Sequence, residues 1–500
     1  MKISLHNFFY PKSIVIAGVS SKKGSIGYEL TATILKYGYK GDLYLVNPSA
    51  GEIFGIKCYN NVTSVPESPD LAIILVPKQF TEEVIDECIA KNIKYFILIT
   101  AGFRETGSEG EKAEIRILKK IRKAGARLVG PNCMGVINTI DDISLNATFV
   151  AEHPETGNSA FLSQSGALGA AVLNSLRETG IRFAHFISVG NKADISENDL
   201  VEYWSTDDNI KVITLYLESF TNGKKFVEIL SKDKKRKPLI ILKAGKTSGG
   251  MKAASSHTGA LGSSDRSVEA IMKQFGVIRV DNLNDLFNTA KGFENFPLPA
   301  GRKVAVLTNA GGPAILAVDE IEKCGLQLAS FSELTKSELR KIVHPEGSIN
   351  NPVDLLPGGT AESYKTVIEI LLRDEQVDSI VVIFVEPVMV KPLAVAEAVN
   401  SVESDKPVFT VVMPLPEFWK EYKEKFPFGK PVFRNPEDPA VVIKNMLEHH
   451  NLKTGVKRLK AKKIKRDHLI NTKEGFLAQA EVLKIAELYS LPVIRNREVS

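Results

Sequence analysis

Cysteine is scarce in this chain, with Cys58, Cys88, Cys133 and Cys324 the four among 500 residues. They are far apart and lack any CxxC or Cys/His spacing, which excludes a disulfide framework and a zinc site and leaves them as small buried residues. Long apolar runs are also missing: Leu71–Pro77 and Ile380–Val385 are strand-sized, and the opening MKISLHNFFYPKS lacks the apolar core of a signal peptide. A soluble, cytoplasmic protein is expected. Excess charge is small, since 64 Lys and Arg against 59 Asp and Glu leave +5, which does not point to a nucleic-acid binder. What is present is ordinary: 44% hydrophobic and 25% charged residues exclude extended disorder and fibrous repeats. At about 150 residues per domain the length suits three or four folded domains and excludes a single small binding module.

The first 135 residues alternate short β-branched runs with amphipathic stretches: SIVIAG (13–18), DLYLVNP (42–48), DLAIILVP (70–77), KYFILIT (94–100) and ARLVGPN (126–132). Continuous apolar strands separated by helices predict a parallel sheet covered on both faces, of Rossmann-like design. Two later stretches resemble each other without gaps at an offset of 145 residues, SAFLSQSGALGAAVLNSLRETGI (159–181) and VAVLTNAGGPAILAVDEIEKCGL (304–326). Each reads as strand, small-residue turn and helix, with Gly180 or Gly325 at the C′ position. The strand-like runs VITLYLES (212–219) and PLIILKAG (238–245) follow the first, and DSIVVIFVEP (378–387) and PVFTVVMP (407–414) follow the second. The α/β chain is therefore expected to hold an N-terminal Rossmann-like domain (1–135) and two flavodoxin-like doubly wound domains (136–297 and 298–450), with FENFPLPAGR (293–302) as a linker. The basic tract KTGVKRLKAKKIKR lies in an expected linker at 451–471. A capped amphipathic helix over Thr472–Leu491 and a strand-like Leu491–Ile494 would begin another domain at 472–500.

The first strand runs into GVSSKKGSIG (18–27), whose glycines and following helix N-terminus suit a diphosphate or simply a tight turn. The spacing is not GxGxxG, and Asn47–Pro48 ends the second strand where a dinucleotide-binding unit usually places Asp or Glu. NAD is thereby disfavoured, and with it an NAD-dependent oxidoreductase. SQSGALG (163–169) offers N–H groups, Ser163 and Ser165 to a phosphate or carboxylate; its pair TNAGGPA (308–314) has Asn309 and two glycines there. Tight helix-to-sheet packing explains small residues equally well. AASSHTGALGSSD (253–265) sets His257 among Ser, Thr, Gly and Ala, where a mobile loop with an exposed imidazole would suit nucleophilic phosphoryl capture. Glu218 closes the strand VITLYLES at the sheet edge where ligands bind, either to fix an imidazole tautomer or to face solvent; Asn191 and Asp194 carry the same two readings.

In order, VIAGVSSKKGSIGYE, LYLVNP, ITAGF, GPNCMGVIN, FLSQSGALG, SVGNKAD, LYLES, SSHTGALGSSD, TNAGGPA and NNPVDLL closely resemble the NDP-forming acyl-CoA synthetases, the acetate–CoA ligase (ADP-forming) group related to succinyl-CoA synthetase. The resemblance spans about residues 8–450. It implies the reaction acyl-CoA + phosphate + ADP ⇌ carboxylate + CoA + ATP, through an acyl phosphate and a phosphohistidine at His257, oriented by Glu218. Ser163, Gln164, Ser165 and Gly166, with Asn309, Ala310 and Gly311 opposite, would hold phosphate or acyl phosphate. Coenzyme A would sit on Gly18, Val19, Ser20, Ser21, Gly24, Gly27, Asn47, Pro48, Pro77 and Thr100. No metal is expected on this chain; ADP or ATP and Mg would be bound by an ATP-grasp unit, on a β subunit or fused C-terminally, in an oligomer.

Two departures stand out. Ser49 replaces the basic residue that many relatives carry after Asn-Pro, with Lys22 or Lys23 as substitutes, and of an ATP-grasp unit only AEVLKIAELYSLPVI (480–494) resembles the opening. A fragment of a fused two-part enzyme is the favoured expectation, because a helix with no domain to pack on makes little sense by itself. The alternative class is a CoA- or acyl-CoA-responsive regulatory module without turnover. The joint presence of SSHTGAL and Glu218 favours the enzyme.

Overall fold

The computed structural model describes residues 4–140, 142–150, 152, 154–175, 180–232, 237–258, 265–455 and 482–483, with backbone alone at 254–258 and 451–455. Strands β1 (Ser13–Ala17), β2 (Asp42–Val46), β3 (Glu52–Ile53), β4 (Ile56–Tyr59), β5 (Leu71–Ile74), β6 (Tyr95–Leu98) and β7 (Arg127–Val129) form one sheet in the order β3-β4-β2-β1-β5-β6-β7. All its pairings are parallel except β3 with β4. The chain reverses its winding between β2 and β5, on either side of β1. Alternate residues of β1 enter opposite cores: Ile14 and Ile16 one, Val15 and Ala17 the other, as a doubly covered parallel strand requires.

A second sheet takes β8 (Gly135–Asn138), β9 (Leu145–Ala147), β10 (Thr156–Ser163), β11 (Phe183–Ser188), β12 (Val212–Leu217), β13 (Leu239–Lys243) and β14 (Ile278–Val280) in the order β14-β13-β12-β10-β11-β8-β9. The antiparallel β8 and β9 at its edge escaped the sequence reading, because GVIN and LNA are too short to show a period. Ala160 and Leu162 share one continuous core with Ile14 and Ile16, so the first two sheets are fused through a common apolar layer. The third sheet joins β15 (Lys303–Thr308), β16 (Gln327–Leu328), β17 (Val353–Asp354), β18 (Ser379–Val385), β19 (Val408–Met413) and β20 (Val432–Phe433), in the order β16-β15-β18-β19-β20 with β17 also on β15. Ile380, Val382 and Phe384 enter one of its cores, Val381 and Ile383 the other. The fold is thus α/β, with parallel-rich sheets throughout.

Several local expectations change. The stretch 293–302 is only partly a linker: the helix Leu283–Asn295 runs through its start, and Phe296 is buried in the third domain's core. Gly325 is left-handed (φ 72°) one residue beyond its helix's C-cap Cys324, as expected. The first copy's helix runs Gly166–Asn174, Gly180 is left-handed, and residues 176–179 between them lie outside the described residues. The helix Asp438–Gly455 crosses the boundary expected at 450. Most of the basic tract and of the last amphipathic segment lie outside the described residues. Cys58, Cys88 and Cys133 are buried and unpaired, and Cys324 is half-buried. Among the described residues no helix is long and apolar enough to cross a membrane.

Candidate active site

The C-terminal edges of the first two sheets open on one cavity of about 650 Å3. From the first sheet it takes Leu75–Pro77 after β5, Ile99–Ala101 after β6, and Arg104; from the second, Gln164–Ala167 after β10, Asn191 after β11 and Glu218 after β12. Crevices at strand C-termini where the winding reverses are where open α/β sheets bind ligands. Here one cavity serves two sheets.

Two interlocks hold the sheets in this relation. Asp194 is an internal clamp: its carboxylate meets Arg127 Nε at 2.7 Å and Arg122 Nη2 at 3.1 Å and accepts the Leu128 N–H at 3.0 Å. Asn191 Nδ2 donates to Glu105 at 2.6 Å and Glu114 at 2.8 Å, and its carbonyl accepts from Arg104. Burial pushes the Glu114 carboxyl up, with the Asn191 bond and Arg104 opposing it.

After β10 the chain turns sharply. Ser163 donates to the Ser165 carbonyl at 2.6 Å, and Ser165 caps the helix Gly166–Asn174 by accepting the Leu168 N–H at 3.3 Å. Ser165, Gly166 and Ala167 at this helix N-terminus line the cavity, and an anion at a helix N-terminus gains from both hydrogen bonds and the helix dipole. Gln164 Oε1 accepts the N–H groups of Glu218 (2.9 Å) and Ser219 (3.1 Å). Lys192 Nζ donates to the Ser219 carbonyl at 2.5 Å while paired to Glu197 at 3.0 Å. Glu218 is therefore not a loose strand end: Gln164 holds its N–H, Lys192 and Gln164 hold the next residue, Ser219, and Glu218 lines the cavity. Burial lowers the Lys192 ammonium, opposed by Glu197.

His257 is placed differently from expectation. Rather than standing on a loop, it lies in the last turn of the helix Ser248–Thr258, which begins where Thr247 Oγ1 accepts the Gly250 N–H at 3.1 Å. A run of small residues interrupted by one glycine pair still forms a helix once Ser and Thr satisfy its first donors. The imidazole and residues 259–264 lie outside the described residues.

The repeat predicted at 145 residues is real in atomic detail. Thr308 donates to the Ala310 carbonyl at 2.9 Å, as Ser163 does to Ser165. Asn309 is buried against the end of β18, donating to the Val385 carbonyl at 2.8 Å and accepting its N–H at 2.9 Å. Its amide is thus spent on the backbone, and Asn309, Ala310 and Gly311 do not line the large cavity.

Ser25 caps the helix Ile26–Tyr37 at the end of the glycine-rich turn. A Cβ on Gly18 would stand 2.8 Å from the Val76 nitrogen, and one on Gly27 only 2.3 Å from the Gly18 carbonyl oxygen, so both glycines are demanded by close packing of β1, β5 and the helix. Gly24 is left-handed (φ 83°) with open space around its Cα. Its N–H already holds an anionic oxygen, that of Glu29 at 2.8 Å. Asn47 Nδ2 binds the Val19 carbonyl at 2.8 Å and its Oδ1 the Ser49 N–H at 2.7 Å, shaping the loop. Pro77 and Thr100 reach the cavity; Gly18–Ser21, Gly24, Gly27, Asn47 and Pro48 do not line it. Arg104 was missed from the sequence, though it directly follows the ITAGF motif. Nothing local shows that residues 104 and 191, so far apart in sequence, meet at one wall.

The chain matches the CoA binding domain family over residues 12–139, the succinyl-CoA ligase like flavodoxin domain over 156–293 and the ligase-CoA domain over 304–415. It is 41% identical over 444 residues to the acetate–CoA ligase (ADP-forming) II subunit alpha of Pyrococcus furiosus, covering 87% of this chain and 96% of that one. The chain belongs to the ADP-forming acyl-CoA synthetase family and is of its α-subunit type. It is 39% identical over 395 residues to acetate–CoA ligase (ADP-forming) I of Archaeoglobus fulgidus, matching 79% of this chain but 57% of that longer relative. The ADP-forming acyl-CoA synthetase fold recurs in the Candidatus Korarchaeum cryptofilum dinucleotide forming acetyl-coenzyme A synthetase 1, solved with phosphate and ADP. That structure has a TM-score of 0.83 and 32% identity, covering 91% of this chain and 98% of that one. The α-type chain is thus a component of an acid–CoA ligase that uses coenzyme A and a nucleotide.

Proposed function

We propose that this chain performs the CoA-side half of acyl-CoA + phosphate + ADP ⇌ carboxylate + CoA + ATP, with acetate or a similarly small acid as substrate. The observation that carries the reading is the single cavity joining Pro77 and Thr100 of the CoA-binding domain to Ser165, Gly166 and Glu218 of the next. The glycine-rich turn fits the diphosphate of coenzyme A, because it presents a backbone donor to an anionic oxygen, the Gly24 N–H donating to a Glu29 carboxylate oxygen at 2.8 Å. Coenzyme A supplies a thiol leaving group of moderate basicity.

Phosphate held at the Ser165–Gly166 helix terminus attacks the thioester carbonyl. The C–S bond breaks, CoA leaves as thiolate, and an acyl phosphate remains on the same N–H groups. His257 then attacks phosphorus and the carboxylate departs; the phosphoryl group resides on the imidazole nitrogen. Glu218, its N–H held by Gln164 and the following Ser219 by Lys192, accepts the other ring N–H and stabilises the cationic phosphohistidine. Positioning and charge stabilisation dominate such transfers. Placing His257 at a helix end lets a short segment carry it to a second anion site, for which the Gly311 helix terminus is the candidate. There ADP on an ATP-grasp unit, separate or fused, would collect the phosphoryl group, and Mg on that unit would neutralise the phosphate charge. The three sheets correspond in this reading to domains at 1–135, 136–297 and 298–450, and the segment 472–500 to the start of that unit.

The test is incubation of the purified chain with acetyl phosphate, or with acetyl-CoA and phosphate, followed by peptide mass analysis for an acid-labile phosphate. Label on His257 that vanishes in His257→Ala supports the reading. Absence of label with several acyl donors despite measurable CoA binding overturns it in favour of the regulatory class.

A further inference from the structure

A second cavity, of about 350 Å3, lies where the third domain closes on the second. Its floor is the helix Leu283–Asn295, and its other walls are β20 and the last turn of the helix Gly166–Asn174. The seam is tight: a Cβ on Gly292 would stand 2.4 Å from a Val442 methyl, and Asn445 Nδ2 donates to Thr289 at 2.9 Å across it.

Asn284, Asn288 and Lys291 follow one another at helical spacing and all face this cavity. Lys291 is 7% exposed. Its ammonium has three protons to donate, yet among the described residues its one hydrogen bond is a long 3.4 Å contact to Asn288 Oδ1, with the Phe433 ring 6.0 Å away. The carboxylates of Asp438 and Glu294 attract it without pairing to it, and the Arg434 guanidinium opposes them. Asp438 accepts from Asn284 Nδ2 at 2.8 Å and from the Asn435 N–H at 3.3 Å, and it makes no ion pair with Lys291. A buried charge left this way is costly unless something pairs with it, and burial pulls the Lys291 ammonium down to about 8. The apolar part of the lining is Ala171, Val172, Phe287, Val432 and Phe433. Arg434 stands exposed at the rim, its guanidinium stacked 4.2 Å over the Trp419 ring.

We infer that this cavity is an accessory site for a small organic monocarboxylate, whose carboxylate pairs with Lys291 beside Asn288 while its apolar body fills the space against Phe287, Val172 and Val432. One deep cation suits a singly charged acid better than inorganic phosphate, because Asn284 Nδ2, Asn288 Nδ2 and the Ser175 hydroxyl already donate within the protein, leaving the rim guanidinium of Arg434 for further oxygens. The site is distinct from the large cavity, yet both share the helix Gly166–Asn174, one at its first turn and the other at its last.

The experiment is titration of the full chain with butyrate, following Trp419 emission together with calorimetry. Trp204, the other tryptophan, is fully buried against His185 and serves as a constant background. A saturable Trp419 response is expected, weakened at least about tenfold in Lys291→Met and in Asn288→Leu, with inorganic phosphate giving no response. Asn288→Leu keeps the lysine and decides the matter if Lys291→Met fails to fold. The inference is overturned by a response of unchanged midpoint in both variants, by a Lys291-dependent response to phosphate equal to that of butyrate, or by no response at all. None of these outcomes depends on whether His257 is phosphorylated.

Discussion

The turns at 163–169 and 308–314 share a backbone solution and differ in what they do with it. In both, a hydroxyl at the strand end donates two residues onward, and an amide side chain, Gln164 or Asn309, ties the turn to the neighbouring strand's end. Yet Gln164 holds Glu218 at a cavity wall, whereas Asn309 holds the hydrophobic Val385. Ser165 caps its helix with its side chain and Ala310 cannot. The carboxylate that follows β18, Glu386, is occupied by the Leu415 N–H at 2.7 Å. The same turn thus stands once at a cavity wall beside a carboxylate and once against an apolar strand end, and the distinction rests on the adjacent strand rather than on the turn.

The sharpest way to break this comparison is to remove the chemical groups assigned to the first copy. His257→Ala should abolish phosphorylation from acetyl phosphate, and Glu218→Gln should slow it by on the order of a hundredfold or more, whereas Glu386→Gln should leave its initial rate within about twofold. Quench-flow labelling of the three variants checks this. Equal losses in Glu218→Gln and Glu386→Gln would dissolve the asymmetry.

Next come the two amides. Asn309→Ala removes a buried amide that makes two backbone hydrogen bonds and should cost about 2 kcal/mol of stability with little change in phosphorylation. Gln164→Ala should show the reverse emphasis, lowering the phosphorylation rate about tenfold by freeing the Glu218 backbone. Thermal melts alongside labelling rates measure both.

Acid should separate the domains. His185 on β11 is fully buried, accepts the Trp204 indole N–H on Nδ1 at 3.1 Å and faces the Tyr10 hydroxyl at 3.1 Å through Nε2. Burial, and then the nearby His6, holds it down to about 3, against 6.5 when unfolded. The unfolded chain therefore binds the extra proton between those values, so the contribution is intact above pH 6.5 and is lost as pH falls toward 3. The loss is up to about 1.4 kcal/mol per pH unit. Urea melts at pH 7 and pH 5 should show the His185-bearing region weakening more than the third domain, and His185→Phe should flatten that slope.

The smallest effect concerns the caps. Ser165→Ala should lose about 1 kcal/mol and Ala310→Ser gain up to about as much, read from melting temperatures. A gain at 310 with no loss at 165 would mean that Ser165 is held for the ligand and not for the helix.

Strands were legible because parallel sheets covered on both faces need unbroken β-branched runs: SIVIA, LAII and SIVVIFV are visible as such. The internal repeat was legible for the same reason, since a strand, a small-residue turn and a helix leave a pattern that survives without knowledge of contacts. Of the candidate site, the strand-end positions of Glu218 and the SQSGALG turn were legible in the same way. The helical state of His257's segment did not, because a run of Ser, Gly and Ala carries no apolar period and its helix depends on a local cap at Thr247. Nor did Asp194 reveal whether it would serve a ligand or Arg122 and Arg127.

Taken alone, the order of residues along the chain determined the layered α/β architecture and the duplicated turn, because burial of periodic apolar residues and small-residue turns is a local, one-dimensional code; the family came from the resemblance of its ordered motifs. Only the tertiary structure decided which polar groups are spent on the protein itself. Asn309, Asn47 and Asp194 each looked available in sequence and are consumed by backbone or ion pairs, whereas Arg104 and Lys291 looked unremarkable and line cavities. The reason is that hydrogen-bond partners and desolvation depend on residues scores of positions away, and no local pattern records them.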